Sequence, residues 1–257
     1  MYTSIHPNAE DAAVAAAMSV AEAVMRKPDL VMALPAGRTM IPVYAKLRRL
    51  VRAAPAAWRH IRTFQVDEFV GLGQGDAGSF RTFLEQHLLD ELQLPMERMD
   101  FLDGRASDAQ HECERYEVAT IEAGGIDLLL LGIGVNGHIG FNEPGESLTA
   151  RTHVATLREE TRSANAGWFE GDLSRVPRQA LSMGMATLLY ARSVLLLATG
   201  ESKAPAVAQM VSGPVTTHVP ASLLQLHPSA YLYVERAVVK GLRFPPVLRS
   251  SRPRAAD

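Results

Sequence analysis

One stretch gathers the groups that could move protons. Between Ile126 and Pro144 the chain reads IDLLLLGIGVNGHIGFNEP, and it carries an amide (Asn136), an imidazole (His138) and a carboxylate (Glu143) among the glycines Gly132, Gly134, Gly137 and Gly140. An imidazole can take and return a proton near neutral pH. A carboxylate five positions on, across a glycine turn, can fold back to orient that ring and set its tautomer. A second acidic group, Asp67-Glu68, follows an alternating run, Ile61–Val66. A third segment, Pro35-Ala36-Gly37-Arg38-Thr39, sits between the apolar run Asp29–Leu34 and a helical pattern from Ile41 to Val51, an arrangement that presents free backbone amides to an anion. Gly132, Gly134 and Gly137 match G-x-G-x-x-G. Gly140, Pro144 and Gly145 follow at once, so no helix begins where a dinucleotide site would need one. The spacing alone is equally that of a plain glycine turn.

The elements that must position these groups alternate between strand and helix. An Ala-rich pattern from Asn8 or Glu10 to Met25 predicts a helix, Asp29–Leu34 a buried strand, Ile41–Val51 a helix and Ile61–Val66 a second strand, with the acidic pair just past its end. Ser79–Leu89 reads as a helix capped by Ser79. Met99–Leu102 reads as a strand, and Asp108–Glu122 as an amphipathic helix with a solvated outer face. The run Ile126–Leu131, apolar but for Asp127, is the central strand, since a strand buried on both faces shows no alternation. Beyond it, Thr152–Leu157 suggests a strand, Thr161–Phe169 a helical segment, and Pro177–Leu189 a helix. Val194–Ala198 suggests a buried strand followed by a helix to Val211, Ser222–Leu226 a short helix or turn, and Tyr231–Val234 a last strand. The tail from Lys240, with Arg243, Arg249, Arg252 and Arg254 among prolines, reads as loose and solvated. The expected fold is α/β, a doubly wound, mostly parallel, Rossmann-like sheet with helices on both faces, in a single domain over residues 1–257.

Composition narrows the function classes. The 257 residues are 47% hydrophobic, enough for a full core, and 26 basic residues balance 28 acidic ones. That balance argues against nucleic acid or a membrane surface as partner. A single cysteine, Cys113, permits no internal disulfide. No apolar run reaches membrane-spanning length and no basic leader opens the chain, so a cytoplasmic location is expected. His138, His153, His218 and His227 show no metal-ligand spacing, and neither a metal nor a cofactor is implied.

Gly137 to Pro144, Gly-His-Ile-Gly-Phe-Asn-Glu-Pro, resembles the signature loop of glucosamine-6-phosphate deaminases (isomerases), which are related to the 6-phosphogluconolactonases. Further blocks fall in the order of that family: Leu34–Thr39, Val66–Leu72, Arg151-Thr152, Thr161-Arg162 with Asn165, Gly200 with Lys203-Ala204, and Leu224–Pro228. The resemblance implies conversion of glucosamine 6-phosphate and water to fructose 6-phosphate and ammonia. It makes His138 the group that opens the sugar ring, with Glu143 and Asn136 supporting it, and Asp67 the base that carries the carbon-2 proton. Glu68 reads as structural. The phosphate is expected at Gly37, Arg38, Thr39, Arg162 and Lys203. The chain departs from the family pattern at Ala36, Met40 and Asn136, where a hydroxyl residue, a proline and often an aspartate are usual. At the positions of a basic pair that binds an activating amino-sugar phosphate in hexameric relatives it has His153 and Ala155, so such activation should be weak or absent. A small sugar phosphate is the implied partner, and monomer and homo-oligomer both stay open. So do a galactosamine 6-phosphate deaminase, a 6-phosphogluconolactonase and a sugar-phosphate-binding protein without turnover.

Overall fold

The computed structural model describes residues 1–242. The arginines assigned to the loose tail at positions 243, 249, 252 and 254 lie outside them. Seven parallel strands form the main sheet in the order β1 (Tyr2–His6), β10 (Ala230–Glu235), β9 (Ser193–Ala198), β6 (Leu128–Leu131), β2 (Val31–Leu34), β3 (Arg62–Gln65), β5 (Met99–Asp100). A second, antiparallel sheet of three strands runs β4 (Asp67–Phe69), β8 (Gln179–Ser182), β7 (His153–Thr156). The expected α/β sheet with helices on both faces is therefore present, with β6 at its centre.

The strands alternate between two cores, which is why their sequences do not alternate. Leu128 and Leu130 of β6, with Met32 and Leu34 of β2, pack on the helices Ala9–Arg26 and Ile41–Ala53. Leu129 and Leu131, with Val31 and Ala33, pack on the opposite face beneath the helices Ala109–Glu122 and Ala204–Ser212. Every side chain of β6 is buried, so each leucine adds roughly 1.5–3 kcal/mol of apolar transfer whichever way it points. On the first helix Ala12, Ala13, Ala16 and Ala17 are all buried. Their small side chains bring the helix close to the sheet.

Four expectations need correction. Pro177–Leu189 is not one helix. Residues Gln179–Ser182 form β8, held by β4 on one side and β7 on the other, and only Met185–Leu189 is helical. Asp67-Glu68, read as lying just past the end of Ile61–Val66, opens a strand of its own, β4, buried throughout. The helix Ala109–Glu122 is not merely an outer face: Cys113 and Tyr116 are fully buried, and the Tyr116 hydroxyl donates to Gln65 O at 2.6 Å. Finally, β1 was not foreseen, because Tyr2–His6 is too short and mixed to signal a strand without its partner β10.

Ser79 does cap the helix that follows it, accepting from Thr82 N at 3.3 Å. That helix passes from Phe80–Leu84 into a π turn at Glu85–Leu89.

Candidate active site

The carboxyl ends of β2, β3 and β6 open onto one cleft of about 290 Å³, the place where an open parallel sheet binds its ligand. Asp67 and His138 both line it, together with Gly37, Arg38, Thr39 and Lys203. Thr161, Asn165, Trp168, Phe80 and Phe141 complete the wall.

The loop after β6 is shaped by backbone bonds. Gly134 N donates to His138 O (2.9 Å) and Gly137 N to Gly134 O (3.1 Å), and Gly137 has φ +87°. The His138 ring lies flat against Gly134. A Cβ on that residue would sit 2.3 Å from Cε1 and 2.4 Å from Nδ1. This glycine is therefore a spacer for the imidazole. We expect Gly134→Ala to push the ring aside and lower kcat by about 100-fold, the scale on which ångström misplacement costs rate, with KM little changed. Steady-state kinetics of the purified variant check this. The loop's far end is pinned by Asn142 Nδ2, which donates to Ile139 O and Met183 O (both 2.9 Å), and by Phe141 N, which donates to Ser182 Oγ (2.9 Å).

Glu143 returns toward His138, with Oε2 3.7 Å from Nδ1. At that distance it supplies charge rather than a hydrogen bond. Asn136 does not hold the imidazole ring. Its Oδ1 accepts from His138 N (3.2 Å) and its Nδ2 donates to Glu143 Oε2 (3.0 Å), so it fixes the backbone of one partner and the carboxylate of the other. Glu143 Oε1 accepts from Arg158 N at 3.3 Å. Neither Asn136 nor Glu143 lines the cleft; both stand behind His138. Burial brings the His138 pKa down to about 4. Glu143 opposes that shift and the Lys203 ammonium adds to it. The ring is thus neutral through the physiological range and able to accept a proton.

Asp67 is 6% exposed and its Oδ1 has no hydrogen-bond partner. Burial first, and the neighbouring Glu68 charge second, raise its pKa to about 8. A buried carboxylate with one orphaned oxygen, on a residue that lines a cleft, is a group poised to bind a proton. Glu68 is wholly engaged instead. Its Oε1 accepts from Phe69 N (2.9 Å) and Phe80 N (3.0 Å), and its Oε2 from Ser79 Oγ (2.8 Å), Arg81 N (2.9 Å) and Gln65 Nε2 (3.2 Å). It ties β4 to the start of the Phe80–Leu84 helix, the structural part read from the sequence.

The loop after β2, which also lines the cleft, turns at Gly37, whose φ of +138° favours glycine, and runs into the short 3-10 turn Arg38–Met40. Lys203 enters from the 3-10 turn after β9, and burial lowers its pKa. Arg38 crosses the top of the loop with its guanidinium 5.3 Å from the centre of the Trp168 ring. Arg162 is placed differently from the sequence reading. Its guanidinium donates to Leu173 O (2.8 Å) and Val176 O (3.0 Å), holding the Leu173–Val176 turn, and it does not line the cleft.

The sequence reading gave no role to Thr161, Trp168, Phe80, Phe141 or Ser182. Their positions depend on β4, β8 and the segment Glu159–Phe169 folding over the main sheet, and no local pattern announces that. His227 is structural, as expected: Nε2 donates to Ala191 O (2.7 Å) and Nδ1 accepts from Ser229 N (3.0 Å). His153 Nδ1 lies 3.1 Å from Arg151 O, and Ala155 is buried within β7. Among the described residues no cluster of His, Cys, Asp or Glu could hold a metal, and no helix is long and apolar enough to cross a membrane.

Residues 6–232 match the family model described as glucosamine-6-phosphate isomerases/6-phosphogluconolactonase. Glucosamine-6-phosphate deaminase 1 of Giardia intestinalis is 46% identical over 90% of this chain and 88% of its own. The glucosamine-6-phosphate deaminase of Streptomyces coelicolor is 42% identical over 100% and 98%. Among solved structures, a monomeric glucosamine-6-phosphate deaminase superposes with a TM-score of 0.90 at 37% identity, covering 93% of this chain and 99% of that one. A 6-phosphogluconolactonase from Trypanosoma brucei shares the fold, with a TM-score of 0.75 at 19% identity over 94% and 98% of the two chains. With its sheet, its cleft and these relatives in agreement, the chain belongs to the glucosamine-6-phosphate isomerase/6-phosphogluconolactonase family.

Proposed function

We propose that the protein is a glucosamine-6-phosphate deaminase, releasing fructose 6-phosphate and ammonia by acid/base catalysis with no cofactor. The observation that carries this reading is the convergence of Asp67 and His138 on one cleft that Lys203 and the Gly37–Thr39 loop also line. The phosphate lies against those amides and the Lys203 ammonium, with Arg38 above. Arg162 reaches that phosphate only by leaving the Leu173 and Val176 carbonyls. Neutral His138 accepts the anomeric hydroxyl proton and returns it to the ring oxygen, opening the sugar. Asp67, ionised, takes the carbon-2 proton from the open-chain amino aldehyde as the aldehyde oxygen gains a proton, giving an enolamine; Asp67 then delivers its proton to carbon 1, and the amine nitrogen gives up one proton to leave a carbon-2 imine. Water adds to the resulting carbon-2 imine, and ammonia leaves.

The test is turnover by the purified protein, following ammonia and fructose 6-phosphate together with glucosamine 6-phosphate and, in parallel, galactosamine 6-phosphate. Binding of glucosamine 6-phosphate without ammonia release, or turnover of galactosamine 6-phosphate alone, overturns the assignment.

His153 and Ala155 offer no pair of fixed cations at the positions where an activator would bind. His153 is also biased toward its neutral form by burial. Adding N-acetylglucosamine 6-phosphate is expected to leave the substrate-saturation curve unchanged, and a several-fold rise in activity would contradict this.

A further inference from the structure

The imidazole of His138 needs more than Glu143 to be useful. A ring that accepts and returns a proton at one nitrogen must keep the other nitrogen's hydrogen fixed throughout. Glu143 is too far from Nδ1 for a hydrogen bond, at 3.7 Å, and its Oε2 already accepts from Asn136 Nδ2. Asn136 Oδ1 is engaged with the His138 backbone. The polar atom nearest Nδ1 is the hydroxyl of Thr161, at 3.3 Å. Thr161 is 1% exposed and lies in the first turn of the helix Glu159–Asn165. Within that helix Asn165 Nδ2 donates back to Thr161 O (2.9 Å), and Ala164, Asn165 and Trp168 form one wall of the cleft.

We infer that Thr161 is a positioning residue for His138: its hydroxyl accepts the Nδ1 hydrogen, fixes the tautomer that leaves Nε2 basic, and locks the imidazole to the helix that walls the cleft. A hydroxyl suits this place better than a second carboxylate. It holds the Nδ1 hydrogen without adding a negative charge that would trap the ring as imidazolium. Glu143, at a longer distance, supplies charge only while the ring carries the extra proton. The charged groups that act on the ring are Glu143 and Lys203. Asp67 shares the cleft. The link to the helix has a further consequence. If Glu159–Asn165 shifts, the ring loses its partner, so imidazole alignment and formation of the cleft wall occur together. This role rests on the deaminase reading only where turnover is concerned.

The test compares Thr161→Val, which keeps size and branching but removes the hydroxyl, with Thr161→Ser, which keeps it. Thr161→Val is expected to lower kcat by about 10- to 100-fold, the scale for a misaligned reacting group, with KM within about threefold of the parent. Thr161→Ser is expected to restore most of kcat. Nitrogen NMR of histidine-labelled protein gives a readout that needs no turnover. The parent and Thr161→Ser should show one non-titrating ring as the Nδ1–H tautomer, assigned by its loss in His138→Gln. Thr161→Val should show that ring as a tautomer mixture. Equal activity in Thr161→Val, equal losses in both variants, or an unchanged tautomer in Thr161→Val would overturn the role. A parent protein that releases no ammonia would overturn the deaminase reading, while the tautomer comparison would still decide for or against Thr161.

Discussion

Replacing Asp67 by Asn is expected to lower kcat by about a hundred- to ten-thousandfold, the usual contribution of a positioned proton-transfer group, while the sugar phosphate still binds. Asparagine fills the same space and keeps one oxygen but cannot take the carbon-2 proton. Asp67 is the group in the cleft whose orphaned oxygen and raised pKa fit that role. Retention of full activity would refute the assigned base. The pH dependence carries a sign. With a free-enzyme pKa of about 8, the ionised carboxylate becomes scarcer as pH falls, so kcat/KM should rise with pH toward about 8. Stability should run the opposite way. The folded state holds the Asp67 proton more tightly than the unfolded chain, whose value is near 3.8. Stability from this group is therefore fully present at low pH and is lost as pH climbs from about 4 toward about 8. Asp67→Asn removes that loss. Its melting temperature should exceed the parent's at pH 8 and differ less at pH 5, by calorimetry at the two pH values. The same substitution thus costs activity and adds stability, because burying a carboxylate is unfavourable and the reaction requires it.

Glu68→Gln should produce the largest loss of stability in the molecule's site region. Five donors converge on the two carboxylate oxygens. An amide offers one oxygen, and its NH2 must face either the Phe69 and Phe80 amides or the Gln65, Ser79 and Arg81 donors. Each buried donor left without an acceptor costs about 1–3 kcal/mol, so at least two give about 2–6 kcal/mol. At roughly 2–4 °C per kcal/mol for a chain of this size, the melting temperature should fall by about 4 °C or more. Part of the activity should go too, since β4 carries Asp67 as its first residue. Removing the Glu68 charge also removes one of the two causes of the raised Asp67 pKa. The acid limb of kcat/KM should then move to lower pH in whatever folded protein remains. A variant that melts within a degree of the parent would show that the Glu68 network contributes little.

The contrast between these two adjacent acids shows where sequence reading reaches its limit. Asp67 and Glu68 are the same chemistry at neighbouring positions of one extended strand, and strand geometry turns them to opposite faces. One side faces an open cleft and the other faces the start of a helix, and only the folded chain says which is which. The reaction needs a single base, so one of the two acids is free for a structural part. The coordinates supply the physical reason, a full set of donors.

Six of the seven strands of the main sheet, the central one among them, and the loop that ends that central strand are legible in the amino-acid sequence. The reason is that these are written in short-range patterns. An unbroken apolar run such as Leu128–Leu131 has no stable place except a strand covered on both faces, and the glycines after it, with His138 and Glu143, belong to one continuous turn. Tertiary structure decided what depends on distant segments meeting. Strand β8 lies inside a stretch that reads as helix, because pairing with β4 and β7 outweighs the local pattern. Arg162, a surface cation by composition and a phosphate ligand by resemblance, is held by two carbonyls of the turn that follows its helix. Thr161 reaches His138 across 23 positions of chain. Short-range order fixes which groups exist at the strand tips; long-range packing fixes the distances between them, and proton transfer depends on those distances.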